Sequence, residues 1–277
     1  MRSVFDYTSI PFEIIIVDMG LSDDLITWLK ENYGSIGNIR LIFNSENVGT
    51  TRGRNQGTAK ATGKYVLFLD NDIEVEAGWL EPLVERAEEK NNIAACGSMI
   101  LSEKGKVVAS PYSIRSYFKN NKLFRIGLEL FSQADKNSKQ VLDSSLMTWY
   151  PLGCFLVKRE VLNSVGGLDE NLFLCEEDKD LCLTLRKFGY ETWYVPGSKV
   201  VHREFDNVEN SKEYRAHRFN IKTIVNDKSY FEKKWQCKVF IDVTWSYLKA
   251  LGLSDTSIDQ KRRFDFTTHV IDDRKKP

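Results

Sequence analysis

This sequence predicts an α/β fold of the doubly wound kind, a mostly parallel sheet with helices on both faces, and three observations carry the prediction. Tyr65, Val66, Leu67, Phe68 and Leu69 form an uncharged apolar run that stops at Asp70, Asn71 and Asp72. That is the pattern of a strand buried on both faces of a parallel core. Residues 12–17 repeat the pattern and close on Asp18 and the turn-forming Gly20. Strand and helix signals alternate around these two runs, as crossover connections in a parallel sheet require.

In chain order, residues 1–11 lead in to Pro11, and the strand over 12–17 follows. Ser22 is placed to cap a helix over 23–33, where Leu25, Ile26, Leu29 and Tyr33 recur at helical spacing behind first-turn acids. Residues 39–43 read as a strand, 44–49 as a tight polar turn and 51–62 as a helix. A surface helix over 78–90 turns Trp79, Leu80, Leu83, Val84 and Ala87 inward, and 93–97 is another strand. From 101 to 146, basic and aromatic residues follow no steady period, which predicts a variable loop region over a site. Residues 149–157 form a strand interrupted by Pro151 and Gly153, where backbone can approach a ligand closely. A short helix over 159–165 ends at Gly166 and Gly167. A further helix starts near Glu177 and ends near Gly189, with Leu181, Leu185 and Phe188 inward. Strands over 192–195 and 199–201 follow, the second ending in His202.

The 277 residues are 42% hydrophobic and 28% charged, the composition of a globular protein able to bury a core. Lys plus Arg and Asp plus Glu both number 39, so no net field draws the chain to nucleic acid or an anionic bilayer, and nucleic acid is not an expected partner. No apolar run approaches the ~20 residues of a transmembrane segment, and the N-terminus lacks a signal peptide's apolar core. These features together read as cytoplasmic. The five cysteines lack a Cys-x-x-Cys spacing, which favours buried reduced thiols over a zinc or disulfide framework.

The chemistry gathers at strand ends. Asp70 and Asp72 alternate along an extended chain, so with Asn71 they present oxygen ligands at the carboxyl end of a core strand, where open α/β sheets bind ligands. Hard oxygen donors there suit Mg²⁺ or Mn²⁺ carrying phosphates. A polar turn after a strand uses the same residue types. Glu177 and Asp178 fall at a helix N-terminus, an end that favours negative charge, and a well-capped helix would look alike. His202 is either a satisfied structural residue or a metal ligand beside the strand-end carboxylates.

Taken together, the ordered motifs resemble the GT-A nucleotide-sugar glycosyltransferases, specifically inverting family 2, over residues 3 to about 235. The resemblance is carried by residues 12–18, by Asn47, Val48 and Gly49, and by Gly53, Arg54, Asn55, Gln56 and Gly57. Asp70, Asn71 and Asp72 match its Asp-x-Asp, and Gly166 to Glu170, Glu177 to Asp180, Pro196 to His202 and Asn226 to Trp235 complete the series. It implies a Rossmann-like GT-A domain over 1–235, with a nucleotide-binding part over about 1–100 and an acceptor-binding part over about 101–205. A helical or irregular C-terminal extension would occupy 236–277.

The resemblance also implies roles. A nucleotide-diphosphate sugar would be the donor and a glycan, lipid-linked or protein hydroxyl the acceptor, as in cell-surface polysaccharide biosynthesis. Asp72 and His202 would hold Mn²⁺ or Mg²⁺, and Asp70 would assist through the metal's waters or the ribose, with Asn71 beside it. Asp18 would accept from the nucleobase and Arg54 would line the nucleotide pocket. Asp178 would be the base, while Trp149, Gly153 and Glu177 would lie on the sugar and acceptor side. Asp180 is expected to form an ion pair with Arg186 within its helix. Family members usually carry a strand and helix before the equivalent of Phe12, central in the sheet, and this chain opens near the end of that helix. A catalytically silent nucleotide-sugar or carbohydrate binding module is therefore the alternative expectation.

Overall fold

A computed structural model describes residues 1–20, 22–109, 112–119, 122–129, 134–143, 145–147, 153–203, 220–236, 238–240 and 271–272. Helix α1 (Arg2–Tyr7) precedes β1 (Ile14–Val17), α2 (Asp23–Tyr33), β2 (Ile39–Ile42), α3 (Thr50–Lys60) and β3 (Tyr65–Leu69), which bears out the predicted alternation. The chain continues through β4 (Ile73–Val75), α4 (Glu81–Glu88) and β5 (Ile93–Ser102). Strand β4 was not predicted; three residues are too few for a periodic signal.

Strands β1 and β2 pair in parallel, Ile14 opposite Ile39. A separate seven-stranded sheet has the path β3, β10 (Cys154–Lys158), β5, β11 (Glu191–His202), β4, with β6 (Val107–Ala109) on β5 and β9 (Ser145–Met147) on β11. Its pairing is mixed where mostly parallel pairing was expected. Strand β10 is antiparallel to both β3 and β5, β11 is parallel to β5, and β4 is antiparallel to β11. The reason is connectivity: β10 is reached through the long excursion after β5, not through a single crossover helix, so nothing obliges it to run parallel. Strand β5 is almost wholly buried between β10 and β11 and forms the spine of the core. At the end of the strand path, β3 buries only Val66 and Phe68, so the expected burial of both faces gives way to alternation.

Three other expectations need correction. Residues 101–146 hold a β-hairpin of β7 (Tyr112–Lys119) and β8 (Lys122–Glu129), not loop alone, and β12 (Lys238–Phe240) and β13 (Ile271–Asp272) extend it to a four-stranded sheet. Helix α2 forms over the predicted residues, though it has no fully buried residue and Leu25 is 48% exposed. Helices α5 (Lys139–Leu142), α6 (Arg159–Ser164) and α7 (Glu177–Lys187) follow, but Phe188 lies past the end of α7 and is 59% exposed, while Leu181 and Leu185 are buried as expected. The two strands predicted before His202 are one, β11, with a register shift between Val195 and Lys199 around Pro196. A last described helix, α8 (Ile221–Lys234), is capped by the Asn220 side chain on the Thr223 amide at 3.2 Å.

Candidate active site

The reversal of the chain between β3 and β4 places Asp70, Asn71 and Asp72 at the sheet's rim, and the Ile73 amide closes the turn on the Asp70 carbonyl at 3.2 Å. Strand β11 runs antiparallel to β4 with His202 opposite Ile73, and the ladder continues as the Arg203 amide donates to the Asp72 carbonyl at 2.8 Å. Backbone pairing thus brings together two side chains 130 residues apart in sequence, and His202 Nε2 lies 3.2 Å from Asp72 Oδ2. Asp72 Oδ1 is buried with no hydrogen-bond partner among the described residues. Arg203 fastens the same rim by binding Glu74 and, at 2.6 Å, Glu103. Asn71 is exposed in the turn. Among the described residues no three His, Cys, Asp or Glu side chains converge on one point, and Asp72 and His202 meet there as a pair.

Arg54 joins this rim to α7. Its guanidinium donates to Asp70 Oδ1 at 3.0 Å and to Glu177 Oε1 at 2.9 Å. Burial pushes the Arg54 pKa down, but the two carboxylates outweigh it and hold the group above its ordinary value, so the cation persists. Gly153 backs Asp70: its carbonyl accepts the Asp70 amide at 2.9 Å, and a Cβ there would meet Asp70 Oδ2 and Ile100 at 3.3 Å. Trp149 lies outside the described residues.

Asp178 is half-buried in the first turn of α7, where its Oδ1 accepts the Lys179 amide at 2.7 Å. The residue before the helix, Glu176, is buried and left-handed at φ +70°, and it forms an ion pair with the buried Lys179. Asp18 is buried at the end of β1, whose ladder its amide extends to the Ile42 carbonyl at 2.8 Å. Its own carbonyl accepts from Asn44 at 2.7 Å, and Asn44 exchanges two 2.9 Å amide bonds with Gln56 of α3. One turn earlier on α3, Gly53 lets Val17 and Met19 approach; a Cβ there would meet Met19 Sδ at 3.0 Å. Arg54, the next residue, reaches Asp70, so α3 links both strand-end aspartates.

Several predicted motif residues serve as joints. Gly49, at φ +83°, admits Phe173, whose carbonyl accepts the Thr50 amide at 2.7 Å, while the Thr51 hydroxyl binds the Leu172 carbonyl. Asn55 bonds the Leu168 carbonyl at 2.8 Å, the Leu168 amide at 2.9 Å and Glu170 at 3.0 Å. Asp180 takes Lys234 at 2.7 Å and Trp235 Nε1 at 2.8 Å, both from the C-terminal end of α8, in place of the expected pair with Arg186. Lys234 also binds Asp169 at 2.7 Å. This latch was missed because its members lie 54 and 65 residues apart, beyond any local spacing. A polar cavity of about 390 Å³ is lined by residues including Asn55, Gly167, Glu170, Thr184 and Lys234, and none of the predicted site residues among the described ones borders it. Cys96 and Cys154 are buried, and burial pushes each thiol up to about 12.

The sequence profile described as "Glycosyl transferase family 2" matches residues 1–165. The chain belongs to glycosyl transferase family 2. A candidate polypeptide N-acetylgalactosaminyltransferase 13 of Drosophila melanogaster is 31% identical to this family 2 chain over 216 residues, covering 73% of it and 37% of the fly protein. An N-acetylglucosaminyl-diphospho-decaprenol L-rhamnosyltransferase of Mycobacterium tuberculosis is 24% identical, covering 71% of this chain and 68% of that one. A crystal structure of GalNAc-T7 with UDP, GalNAc and Mn²⁺ superposes with a TM-score of 0.56 at 18% identity, over 92% of this chain and 54% of that one. That likeness establishes the GT-A fold. The chain spans about a third of the fly relative's length. None of the described helices is long and apolar enough to cross a membrane.

Proposed function

We propose that this family 2 chain moves a sugar from a nucleotide-diphosphate donor to an acceptor hydroxyl by a metal-dependent single displacement that inverts the anomeric carbon. The observation that carries the proposal is the pairing of Asp72 with His202 at the rim, next to the Arg54-linked Asp70 and Glu177. The buried, unbonded Asp72 Oδ1 and a neighbouring imidazole fit Mn²⁺ or Mg²⁺, which commonly keep several ligands for water and substrate phosphates. When bound, the ion would neutralise charge growing on the leaving diphosphate.

The chain's own residues would do the rest. Asp70, braced by Arg54 and by the Gly153 backbone, would meet the ribose or the waters beside the ion, with Asn71 next to it. Asp18 would accept a hydrogen bond from the base, and Arg54 would line the nucleotide pocket. Asp178, with Oδ1 occupied by an amide, would take the acceptor's proton on Oδ2 as the new bond to the anomeric carbon forms and the bond to the diphosphate breaks. Glu177, Gly153 and Trp149 would border the sugar and acceptor. The donor half would then be about 1–100 and the acceptor half about 101–205, with a glycan, a lipid-linked sugar or a protein as acceptor. Titrating UDP and GDP with and without Mn²⁺ against Asp72→Ala tests the metal assignment. The expected result is loss of the Mn²⁺-dependent component in a protein that melts like the wild type, since a rim residue adds little to the core. Metal-dependent binding of wild-type strength in that variant would contradict it.

A further inference from the structure

Asp227, on α8, is 3% exposed, and its Oδ2 accepts three successive backbone amides: Phe173 at 3.1 Å, Leu174 at 2.7 Å and Cys175 at 3.0 Å. A carboxylate seated in consecutive N–H groups fixes the path of the backbone that supplies them, because each bond is charge-assisted and directional. Asp227 does not cap its own helix; Asn220 does that. The segment it holds also carries the Leu172 and Phe173 carbonyls that receive Thr51 and Thr50 of α3. Immediately after it comes Glu176, a left-handed non-glycine residue, a conformation that persists only where the surroundings over-determine it. Glu177 and Asp178 follow directly.

We propose that Asp227 is a positioning residue: by holding the 173–175 amides it sets the entry to α7, and so the placement of Asp178 and of the Glu177 carboxylate that meets Arg54. This rests on the glycosyl-transfer reading for its consequence, not for its geometry. Asp227→Asn is nearly isosteric but loses the charge and one acceptor oxygen. Displacing a reacting group by about 1 Å costs on the order of 10²-fold in rate. The variant should therefore lose about 10- to 100-fold in kcat, with its affinity for UDP or GDP plus Mn²⁺ held within about two-fold.

The experiment has two arms on the full chain. Amide hydrogen exchange should find Phe173, Leu174 and Cys175 protected in the wild type and faster-exchanging in Asp227→Asn, whose one neutral oxygen accepts them more weakly, with faster exchange spreading to Glu177 and Asp178. Nucleotide release from UDP-sugar and GDP-sugar donors with Mn²⁺ should find Asp178→Asn combined with Asp227→Asn no slower than Asp178→Asn alone, as for residues acting as a unit. Unprotected amides in the wild type, unchanged kcat in a folded Asp227→Asn, or multiplicative losses in the double variant would each overturn the inference. If Asp227→Asn fails to fold, wild-type exchange decides. A wild type that releases no nucleotide while the three amides stay protected sinks the glycosyl-transfer reading and upholds the anchor; release with unprotected amides does the reverse.

Discussion

Asp178 accepts the amide that follows it, and that bond is compatible with two roles that one substitution separates. As a base, Asp178→Asn keeps shape while removing the proton acceptor, so turnover should fall by ~10²- to 10⁴-fold with donor affinity nearly unchanged. As a helix-terminal acid only, the same change should lower the melting point by the equivalent of ~1 kcal/mol and leave turnover intact. Melting temperature, donor affinity and turnover measured on the one variant decide between these. Positions at this scale were legible in the sequence where a residue type stood at a strand or helix end, as with Asp72, Asp178 and His202. Arg54 was placed in the nucleotide pocket, but its bridge to Glu177 was not legible, because the two are 123 residues apart.

Between elements, the latch of α8 on α7 and the preceding loop makes the clearest energetic claim. Lys234 lies between Asp169 and a nearly buried Asp180, so Lys234→Met would strand a buried carboxylate and should cost ~3 kcal/mol of stability, readable as a lower denaturant midpoint. The pH dependence has a definite sign. Burial raises the Asp169 carboxyl, but bonds from Lys234, Asn171 and Tyr230 outweigh it and hold the group at about 2. Its contribution is therefore complete above pH ~4 and lost as pH falls toward 2, while Asp180, raised by burial, acts in the opposite direction. Burial lowers Lys234, but its two carboxylate partners outweigh it and raise it above its ordinary value. Its contribution is complete below pH ~10.4 and is lost as pH climbs through the raised value. Tyr230, raised by burial and by Asp169, acts in the same direction. The midpoint gap between wild type and Lys234→Met should stay level from pH 6 to about 10 and narrow above it. A gap unchanged at high pH would contradict the latch. Elements with strong local period, such as α2 and β3, were read correctly as to type. Strand β4 and the hairpin of β7 and β8 were not, since one is too short to show a period and the other is built by pairing between runs of irregular pattern.

At the scale of the whole molecule, α3, the 172–176 loop and α8 tie the strand-end aspartates to the start of α7, so Asp18, Asp70, Glu177 and Asp178 belong to one connected framework. The order of motifs along the chain pointed to the GT-A fold, but neither these links nor the mixed sheet that positions them was foretold, because both depend on connections longer than any motif. The central claim is that this framework carries out metal-dependent inverting transfer and does not merely bind a nucleotide sugar. The most direct measurement is release of UDP or GDP from a panel of sugar donors with Mn²⁺ or with a chelator, together with the anomeric configuration of the sugar product. The account predicts release that requires the ion and a product of configuration opposite to the donor. Mn²⁺-dependent donor binding without release, release undiminished by the chelator, or a product of retained configuration would contradict it.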